Sequence, residues 1–387
     1  MGIQGLGRFL SEMAPECIRQ QDVKSFLGQI IVIDASMSLY QFMIAIRDAE
    51  GFGSLTNELG EETSHISGFL SRCTRLLENG IKPVYVFDGK PTQLKLDELN
   101  RRQERRVKAE GDLEAARDTG DAQAIRKYAG RTVRITPQHN SDVKQLLELL
   151  GVPTVDAPTE AEAQCATIVA KGFAFATATE DADALTFGSS KVIRHLNFSE
   201  QYAKTKPILV FSLNILLEKL QLTMAEFVDF CILCGCDYCN RLKGIGPHTA
   251  YKLIKKHSTI EVILKELGKT SVEIENYPYK QAREFFVNPE VIDPELLPKF
   301  SWKNPQEDKL RDFLINRHNF NTKRVASYLQ RLNDARGKFS QRRLDSFFSI
   351  AVKQPLVKKL PVKEESCTKK KRTAGTSFLK SIRKLKK

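Results

Sequence analysis

Three short apolar runs stand out along the chain, and each of them ends at an aspartate. They cover residues 30–34, 84–88 and 173–181. Continuous β-branched and aromatic runs of this length are typical of strands buried on both faces of a parallel sheet. Between them, apolar positions recur at helical spacing over residues 35–47, 64–79, 141–150 and 160–171.

This alternation of strands and helices predicts an α/β fold with a central, mostly parallel, twisted sheet flanked by helices. Such sheets bind their ligands beyond the carboxyl ends of the strands. Asp34, Asp88 and Asp181 close the three predicted strands. The pattern therefore places three carboxylates at the binding edge of the sheet.

A long polar segment, residues 91–134, interrupts this alternation. It has few apolar positions, and its basic residues recur at helical spacing: Lys95, Arg101, Arg102, Arg105, Arg106 and Lys108. A helix that is polar all round either projects into solvent or binds something charged. A solvated surface helix is the alternative to a binding role, and Gly111 and Gly120 are expected to interrupt the helical segment.

A second apolar helix is predicted at about residues 222–238, and an amphipathic helix ends at His257. The turn between them contains Gly244 and Gly246, so the pattern is that of a helix–hairpin–helix. Its glycines let backbone N–H groups approach a phosphate at the positive end of the second helix. An ordinary turn is the alternative interpretation.

The net charge of +13 is unevenly distributed over the 387 residues. Residues 351–387 contain thirteen Lys or Arg against Glu364 and Glu365, so the remainder is almost neutral. A tail of this composition is expected to be disordered. No apolar run approaches the roughly 18 residues that a membrane helix needs, and the start of the chain lacks the pattern of a secretory signal, so no membrane partner is expected.

Four of the eight cysteines lie within nine residues, at Cys231, Cys234, Cys236 and Cys239. A zinc or iron–sulfur site is one interpretation of this spacing. The segment is largely helical in pattern and leaves little loop to wrap a tetrahedral ion. Reduced, buried thiols are therefore the favoured interpretation.

Seven acidic residues are candidate metal ligands at the edge of the sheet: Asp34, Asp88, Glu160, Glu162, Asp181, Asp183 and Asp237. Individually, several could cap helices or close turns. Collectively they suit Mg²⁺, which prefers oxygen ligands. Two ions about 4 Å apart stabilise the attacking and leaving oxygens of a phosphodiester displacement. Seven carboxylates and two such ions leave an excess negative charge, which the basic segment would offset.

Several sequence motifs together resemble the structure-specific 5′ nucleases, and most closely the eukaryotic flap endonucleases. The matching segments are 1–6 (MGIQGL), 33–42 (IDASMSLYQF), 82–91 (KPVYVFDGKP), 160–163 (EAEA), 179–183 (TEDAD), 235–239 (GCDYC) and 244–247 (GIGP). The resemblance runs from residue 1 to about residue 350. It implies the PIN-like fold of these nucleases and cleavage of DNA at the junction of a 5′ flap with duplex, together with 5′→3′ exonuclease activity.

The resemblance also implies a domain organisation. An amino-terminal nuclease half spans residues 1–107, and residues 91–134 form a helical arch. An internal half spans 122–260 and includes the helix–hairpin–helix at about 222–257. A helical part, 261–335, is followed by a clamp-binding peptide, 336–350, and the basic tail, 351–387.

By the same resemblance, the seven carboxylates hold two Mg²⁺ ions, for which Mn²⁺ substitutes, and a K⁺ ion sits at the helix–hairpin–helix. Lys95 and Arg102 would contact the scissile phosphate. Tyr40 would stack on a base, with packing inside its helix as the alternative. The further DNA-binding residues that the resemblance implies are Gly2, Arg47, Arg72, Arg101, Arg105, Arg106, Glu160, Gly235, Asp237, Gly244 and Gly246.

A short motif near the carboxyl end matches the peptide that binds sliding clamps, and its residues are Gln341, Leu344, Phe347 and Phe348. Three apolar side chains on one helical turn can fill a pocket while the glutamine anchors them. An amphipathic turn in the core is the alternative. The resemblance points to proliferating-cell nuclear antigen as the partner, and to a monomer with up to three copies on one clamp trimer.

The basic stretch 368–372 resembles a nuclear import signal and would also attract DNA. The nucleus is therefore the expected location, with the nucleolus and mitochondria as further compartments. The expected roles are Okazaki fragment maturation and long-patch base excision repair. A 5′→3′ exonuclease or a Holliday-junction enzyme on the same scaffold is one rival hypothesis, and a catalytically inactive DNA-binding adaptor is another.

Overall fold

The structure is a computed structural model that describes residues 2–46, 53–196, 206–268 and 277–339, with side chains up to residue 335. Arg47, the clamp-binding motif at 341–348 and the basic tail lie outside the described residues. None of the described helices is long and apolar enough to cross a membrane.

A single sheet of seven strands forms the centre of the described fold, in the order β1-β7-β6-β5-β2-β3-β4. The strands are β1 (Ile18–Gln21), β2 (Ile30–Asp34), β3 (Lys82–Phe87), β4 (Thr154–Asp156), β5 (Ala176–Ala178), β6 (Lys191–Arg194) and β7 (Ile208–Ser212). Strands β4, β3, β2, β5 and β6 run parallel to one another, whereas β7 and β1 add an antiparallel edge. The predicted mostly parallel sheet is confirmed.

Helices cover both faces of this sheet. Across the described residues the helices are α1 (Leu6–Met13), α2 (Ala35–Ala45), α3 (Ser64–Glu78), α4 (Leu96–Thr119), α5 (Ala122–Ala129), α6 (Pro137–Leu149), α7 (Ala161–Ala170), α8 (Asp183–Thr186), α9 (Leu213–Leu220), α10 (Met224–Cys234), α11 (Pro247–His257), α12 (Ile260–Glu266), α13 (Tyr279–Val287), α14 (Glu307–Arg311) and α15 (Thr322–Phe339).

The alternation of side chains along β2 explains why its sequence is apolar throughout. Ile31 and Ile33 point into a core formed with α2, α3, α6 and α15, whereas Val32 packs in a second core with α7. Successive side chains of a strand point to opposite faces. Each face of β2 is buried, so an unbroken apolar run is required there.

Predicted boundaries differ from the structure at four places. The apolar helix expected at about residues 222–238 covers only Met224–Cys234, because the backbone turns at Gly235, which has a φ of +93°. The strand expected over 173–181 covers only Ala176–Ala178, because the backbone then turns and the Asp181 N–H donates to Thr179 Oγ1 at 3.1 Å. The helix expected from residue 141 begins at Pro137, where Thr136 and His139 form a reciprocal cap. Gly111 does not break the polar segment, since α4 continues through it to Gly120.

Candidate active site

Asp34 is the last residue of β2 and caps the helix that follows. Its Oδ1 accepts a hydrogen bond from the Met37 N–H at 2.9 Å, and its Oδ2 accepts one from Thr179 Oγ1 at 3.4 Å. The capping role considered from the sequence is therefore present. The Thr179 contact shows that the carboxylate also reaches the end of β5, which brings it toward the other acidic residues.

Asp88 follows β3 directly and links it to the start of α7. Its Oδ1 accepts from the Ala161 N–H at 2.8 Å. The Gly89 N–H donates to the Thr159 carbonyl at 2.7 Å, and a Cβ at Gly89 would lie 2.2 Å from backbone oxygens. This close approach fixes Glu160 beside the end of β3.

The capping box considered for the start of α7 is not formed. Thr159 Oγ1 donates instead to the Glu290 carbonyl at 3.0 Å, and the cap residue of α7 is Glu160, whose side chain makes no capping hydrogen bond. Glu162 is consequently not held by the helix end, and its buried carboxylate lies among the acidic residues that follow β5.

Three buried carboxylates converge at the centre of the site. Ligand oxygens of Glu162, Asp181 and Asp183 all lie within 4.8 Å of one another. Their exposed fractions are 8%, 4% and 1%, and Asp183 Oδ1 has no hydrogen-bond partner. A buried, unpaired carboxylate oxygen is costly unless it binds a cation. The residues present therefore fit a divalent metal ion.

The electrostatics of the cluster support the same conclusion. Burial, and then repulsion by Asp88, raises the pKa of Asp34 to about 8. Burial followed by the neighbouring carboxylates raises the pKa values of Glu162 and Asp183 well above their ordinary values. Carboxylates in this situation hold their negative charge only when a cation is supplied.

Two cations from the polar segment reach the site across long stretches of sequence. Lys95 Nζ lies 2.5 Å from Glu160 Oε2, and Arg102 Nη2 lies 2.5 Å from Asp237 Oδ2. Burial lowers the pKa of Lys95, but Glu160 and Glu162 outweigh burial, so the net change raises it. The predicted acidic and basic residues are thus brought together, including Asp237, which lies far from the others in sequence.

The remaining arginines of α4 lie farther from the buried cluster. Arg101 Nη1 donates to Asn240 Oδ1 at 2.6 Å. Arg105 Nη1 lies 3.7 Å from Glu98, and Arg106 contacts Gln103 on its own helix.

Gly2 lies directly against the carboxylate cluster. Its φ is +71°, and a Cβ there would lie 1.5 Å from Asp181 Oδ1 and 2.6 Å from Asp183 Oδ1. Only glycine tolerates both the left-handed backbone and this approach. The start of the described chain is therefore placed at the site, as the motif containing Gly2 implied.

Two further predicted residues lie on the helices beside β2. Tyr40 is half-buried on α2. Arg72 on α3 stacks over the Phe42 ring at 4.4 Å and donates to Ser38 Oγ at 3.2 Å. Arg72 and Asp34 line the same small cavity, so Arg72 borders the site.

The helix–hairpin–helix is formed by α10 and α11. Gly244 has a φ of +83°, and ideal Cβ atoms at Gly244 and Gly246 would meet nothing within 4 Å. The turn is therefore open to a ligand at the amino end of α11. Gly235, with a φ of +93°, is instead packed against Arg241, and its carbonyl accepts from the Gln4 N–H at 3.0 Å.

The clustered cysteines are free, buried thiols. Among the described residues the acidic trio is the one group of three or more side chains placed to share a metal ion, so the cysteines do not form such a site. The burial of these free thiols agrees with the interpretation favoured from the sequence.

Sequence reasoning missed Glu98, Thr179 and Asn240. Glu98 accepts from Arg102 at 3.2 Å and lies 3.5 Å from Arg101, which orients the basic face of α4. Its spacing of three and four residues from these arginines is a recognisable helical signal. Thr179 lies in the 179–183 motif, but its contact with the distant Asp34 has no local signal, and neither has the contact of Asn240 with Arg101.

Comparison with known proteins agrees with this geometry. Residues 1–109 match the XPG N-terminal domain family, and residues 151–237 match the XPG I-region family. Flap endonuclease 1 of Cryptosporidium muris is 50% identical over 372 residues, covering 94% of this chain and 79% of that protein. Flap endonuclease 1 of Nematostella vectensis is 48% identical, covering 97% and 98%.

A solved structure shows the same architecture. Flap endonuclease-1 from Methanococcus jannaschii is similar with a TM-score of 0.63 and 32% identity, covering 82% of this chain and 96% of that one. The parallel sheet with carboxylates clustered at its edge agrees with these matches, and the chain covers at least 79% of each of the three proteins. The chain therefore belongs to the flap endonuclease 1 family and is a structure-specific 5′ flap endonuclease.

Proposed function

We propose that this chain hydrolyses the phosphodiester at the junction of a 5′ flap with duplex DNA by a mechanism that depends on two Mg²⁺ ions, with Mn²⁺ as a substitute. The observation that carries the proposal is the buried trio Glu162, Asp181 and Asp183 with its unpartnered Asp183 oxygen. Hard oxygen ligands at the carboxyl edge of a parallel sheet suit Mg²⁺.

The seven carboxylates would hold the ions. When bound, two such ions activate a water molecule and stabilise the departing 3′ oxygen. Gly2 keeps the space beside Asp181 free of side-chain atoms, and Asp88 ties the β3 end to α7 so that Glu160 stays at the site. These contacts orient the acidic groups before substrate arrives, which is the main requirement for catalysis by a preorganised site.

Lys95 and Arg102 act on the phosphate. In the DNA-free structure they pair with Glu160 and Asp237. A phosphate brings its own negative charge into the site, and the two cations can then exchange a carboxylate partner for a phosphate oxygen. This exchange offsets the charge of the substrate and places donors where negative charge develops during cleavage.

The duplex is held away from the chemistry, at the helix–hairpin–helix. Gly244 and Gly246 leave the backbone open in front of α11. N–H groups and the positive end of the helix dipole favour a phosphate there. The residues of this turn would hold a K⁺ ion, which would supply positive charge for the DNA backbone.

Helices α4 and α5 form the arch through which the flap would thread. Its basic residues attract single-stranded DNA, and Arg101 and Arg102 tie its base to the segment 237–240. A recessed 5′ end would reach the same carboxylates, so the proposal includes 5′→3′ exonuclease activity at one active site.

The clamp-binding motif supports a further part of the proposal. Leu344, Phe347 and Phe348 would enter an apolar pocket of proliferating-cell nuclear antigen, anchored by Gln341. A monomer docked in this way permits up to three copies on one clamp trimer. We propose a nuclear role in Okazaki fragment maturation and long-patch base excision repair, since both generate 5′ flaps.

The test is cleavage of 5′-labelled double-flap DNA in Mg²⁺, beside a blunt duplex and a four-way junction. Asp181→Ala and EDTA should each abolish product. Asp156→Asn is a matched control, because Asp156 ends β4 at the same edge but is exposed and pairs with Lys144 at 2.7 Å.

One flap-length product from the wild type and from Asp156→Asn supports the proposal. Stepwise mononucleotide release without flap cleavage would favour an exonuclease, and preferred cutting of the four-way junction would favour a junction-resolving enzyme. Binding with no product from any substrate would indicate an adaptor. Cleavage that survives both EDTA and Asp181→Ala would refute the metal-dependent mechanism.

A further inference from the structure

A pair of cysteines brackets one of the seven carboxylates. Cys236 and Cys239 occupy the ends of a tight turn whose central residues are Asp237 and Tyr238. The Cys236 N–H donates to the Cys239 carbonyl at 2.9 Å, and the Cys239 N–H donates back at 3.4 Å. Both thiols are free.

The backbone of this turn brings the two residues within disulfide range. Antiparallel residues that exchange both hydrogen bonds have Cα atoms about 5.5 Å apart and side chains on one face. A disulfide requires a Cα separation of roughly 4.4–6.8 Å. The Cα separation expected for this hydrogen-bonded pair therefore lies inside the disulfide range.

The same turn holds the base of the arch. Asp237 accepts from Arg102 at 2.5 Å, and Asn240, the residue after Cys239, accepts from Arg101 at 2.6 Å. The turn is thus the point at which α4 docks beside the metal-binding carboxylates. Any change in its backbone is transmitted to both arginines.

We propose that Cys236 and Cys239 are a redox modification site, at which hydrogen peroxide forms a reversible disulfide that displaces Asp237 and undocks α4. Formation of the bond does not depend on the proposed function, but its effect on cleavage rests on it. The pair is a feature of this chain's own turn, in which thiols stand on both sides of a site carboxylate.

The chemistry balances with peroxide as the oxidant. Cys236, which is 7% exposed against 2% for Cys239, reacts first. Its sulfur attacks one peroxide oxygen, giving a sulfenic acid and one water molecule. Cys239 sulfur then attacks the Cys236 sulfur and releases a second water. The two thiols lose two hydrogens in total, and peroxide is reduced to two waters.

The reaction is expected to be slow, so the disulfide should form only during prolonged exposure to peroxide. Both thiols are buried, and buried thiols react slowly with oxidants. Closing the bond shortens the Cβ separation from roughly 4.5–5.5 Å to about 3.8 Å, so the turn must tighten. Asp237 and Asn240 then leave the positions that Arg102 and Arg101 require.

The experiment exposes the full-length reduced protein to hydrogen peroxide in Mg²⁺ buffer, quenches it with an alkylating agent and maps the peptide containing residues 236–239 by mass spectrometry. Flap cleavage and trypsin cleavage at Arg101 and Arg102 are measured on the same samples. Cys236→Ala removes the pair, whereas Cys234→Ala is the matched control that removes a neighbouring thiol and keeps the pair. Cys239→Ala replaces Cys236→Ala if thermal melts show that the latter is unfolded.

In the wild type and in Cys234→Ala, we expect the 236–239 peptide to lose two hydrogens and to resist alkylation. In Cys236→Ala, we expect neither change. Cleavage should fall roughly tenfold, because small displacements of site groups have effects of that size or more. Dithiothreitol should restore it, and trypsin should cut the arch faster while the protein is oxidised.

Alkylation of both thiols after peroxide, or a disulfide elsewhere, would overturn the assignment. A disulfide at 236–239 that leaves cleavage and trypsin sensitivity unchanged would overturn its regulatory effect. If the reduced wild type does not cut flap DNA at all, the proposed function fails, while the mass measurement still decides whether the disulfide forms.

Discussion

Removing one buried charge should stabilise the metal-free protein. Asp181→Asn keeps the size of the side chain and an oxygen that can accept from the Asp183 N–H, a contact of 3.3 Å. It deletes one of the negative charges that crowd the centre of the site. In EDTA no ion offsets this charge, so the variant should have the larger free energy of unfolding.

The magnitude follows from the spacing of the trio. Its oxygens lie within 4.8 Å of one another, and two full charges at such a distance repel by about 3.5 kcal/mol at an effective dielectric constant of about 20. Burial and the neighbouring carboxylates raise the pKa values of Glu162 and Asp183 well above their ordinary values, so this repulsion energy is an upper bound. We therefore expect a gain of about 1–3 kcal/mol, or a Tm rise of roughly 2–6 °C.

The assay is a thermal melt at pH 8 in EDTA and again in Mg²⁺. Asp156→Asn serves as the control, because its exposed ion pair with Lys144 contributes at most about 1 kcal/mol. Mg²⁺ should raise the Tm of the wild type more than that of Asp181→Asn, since an ion bound only to the folded state stabilises it. A variant that melts below both the wild type and the control in EDTA would show that Asp181 has a structural role and refute the repulsion argument.

Three further predictions follow from the same site. Burial and Asp88 raise the pKa of Asp34 from 3.8 to about 8, so its contribution to metal-free stability is fully present below about pH 4 and is lost as pH rises through about 8. Urea melts in EDTA from pH 5 to pH 9, run on the wild type and on Asp34→Asn, isolate this contribution. A contribution that rose with pH would contradict the prediction. Gly2→Ala should displace the Asp181 carboxylate, which its Cβ would meet at 1.5 Å. It should lower kcat roughly 10- to 100-fold with little change of Tm in EDTA. An unchanged kcat would count against the placement of Gly2. Lys95→Ala should strengthen Mg²⁺ binding in calorimetry without DNA, because it removes the cation paired with Glu160. The same variant should still cleave more slowly. Weaker Mg²⁺ binding would mean that Lys95 organises Glu160 instead of competing with the ion.

The sheet was predictable where burial dictates residue type. β2 is buried on both faces, so Ile31, Val32 and Ile33 all have to be apolar. The edge strand β1 carries no such signal, because Ile18–Gln21 is mostly polar and partly exposed. Its pairing with β7 joins segments about 190 residues apart in sequence, and only tertiary structure decides it.

The acidic half of the site was predictable for a related reason. Parallel strands bring their carboxyl ends to one edge, so Asp34 and Asp88 had to lie near each other wherever the connecting helices ran. For the basic half, the sequence predicted that cations would offset the carboxylates, but not which carboxylate each cation would contact. Lys95 is 65 residues from Glu160, and Arg102 is 135 residues from Asp237; no periodicity in the sequence relates them.

This difference bears on how the site is assembled. The strand-end carboxylates are fixed by the sheet, whereas Asp237 depends on the turn after α10 and Arg102 depends on the docking of α4. Both depend on the contact between α4 and residues 237–240, where Asn240 accepts from Arg101 next to the Arg102–Asp237 pair. The contacts of Arg101 and Arg102 with the turn are thus the part of the site least visible in the sequence, and also the part that a local change in the turn can move. A disulfide between the neighbouring thiols would therefore affect the arch and leave the sheet intact.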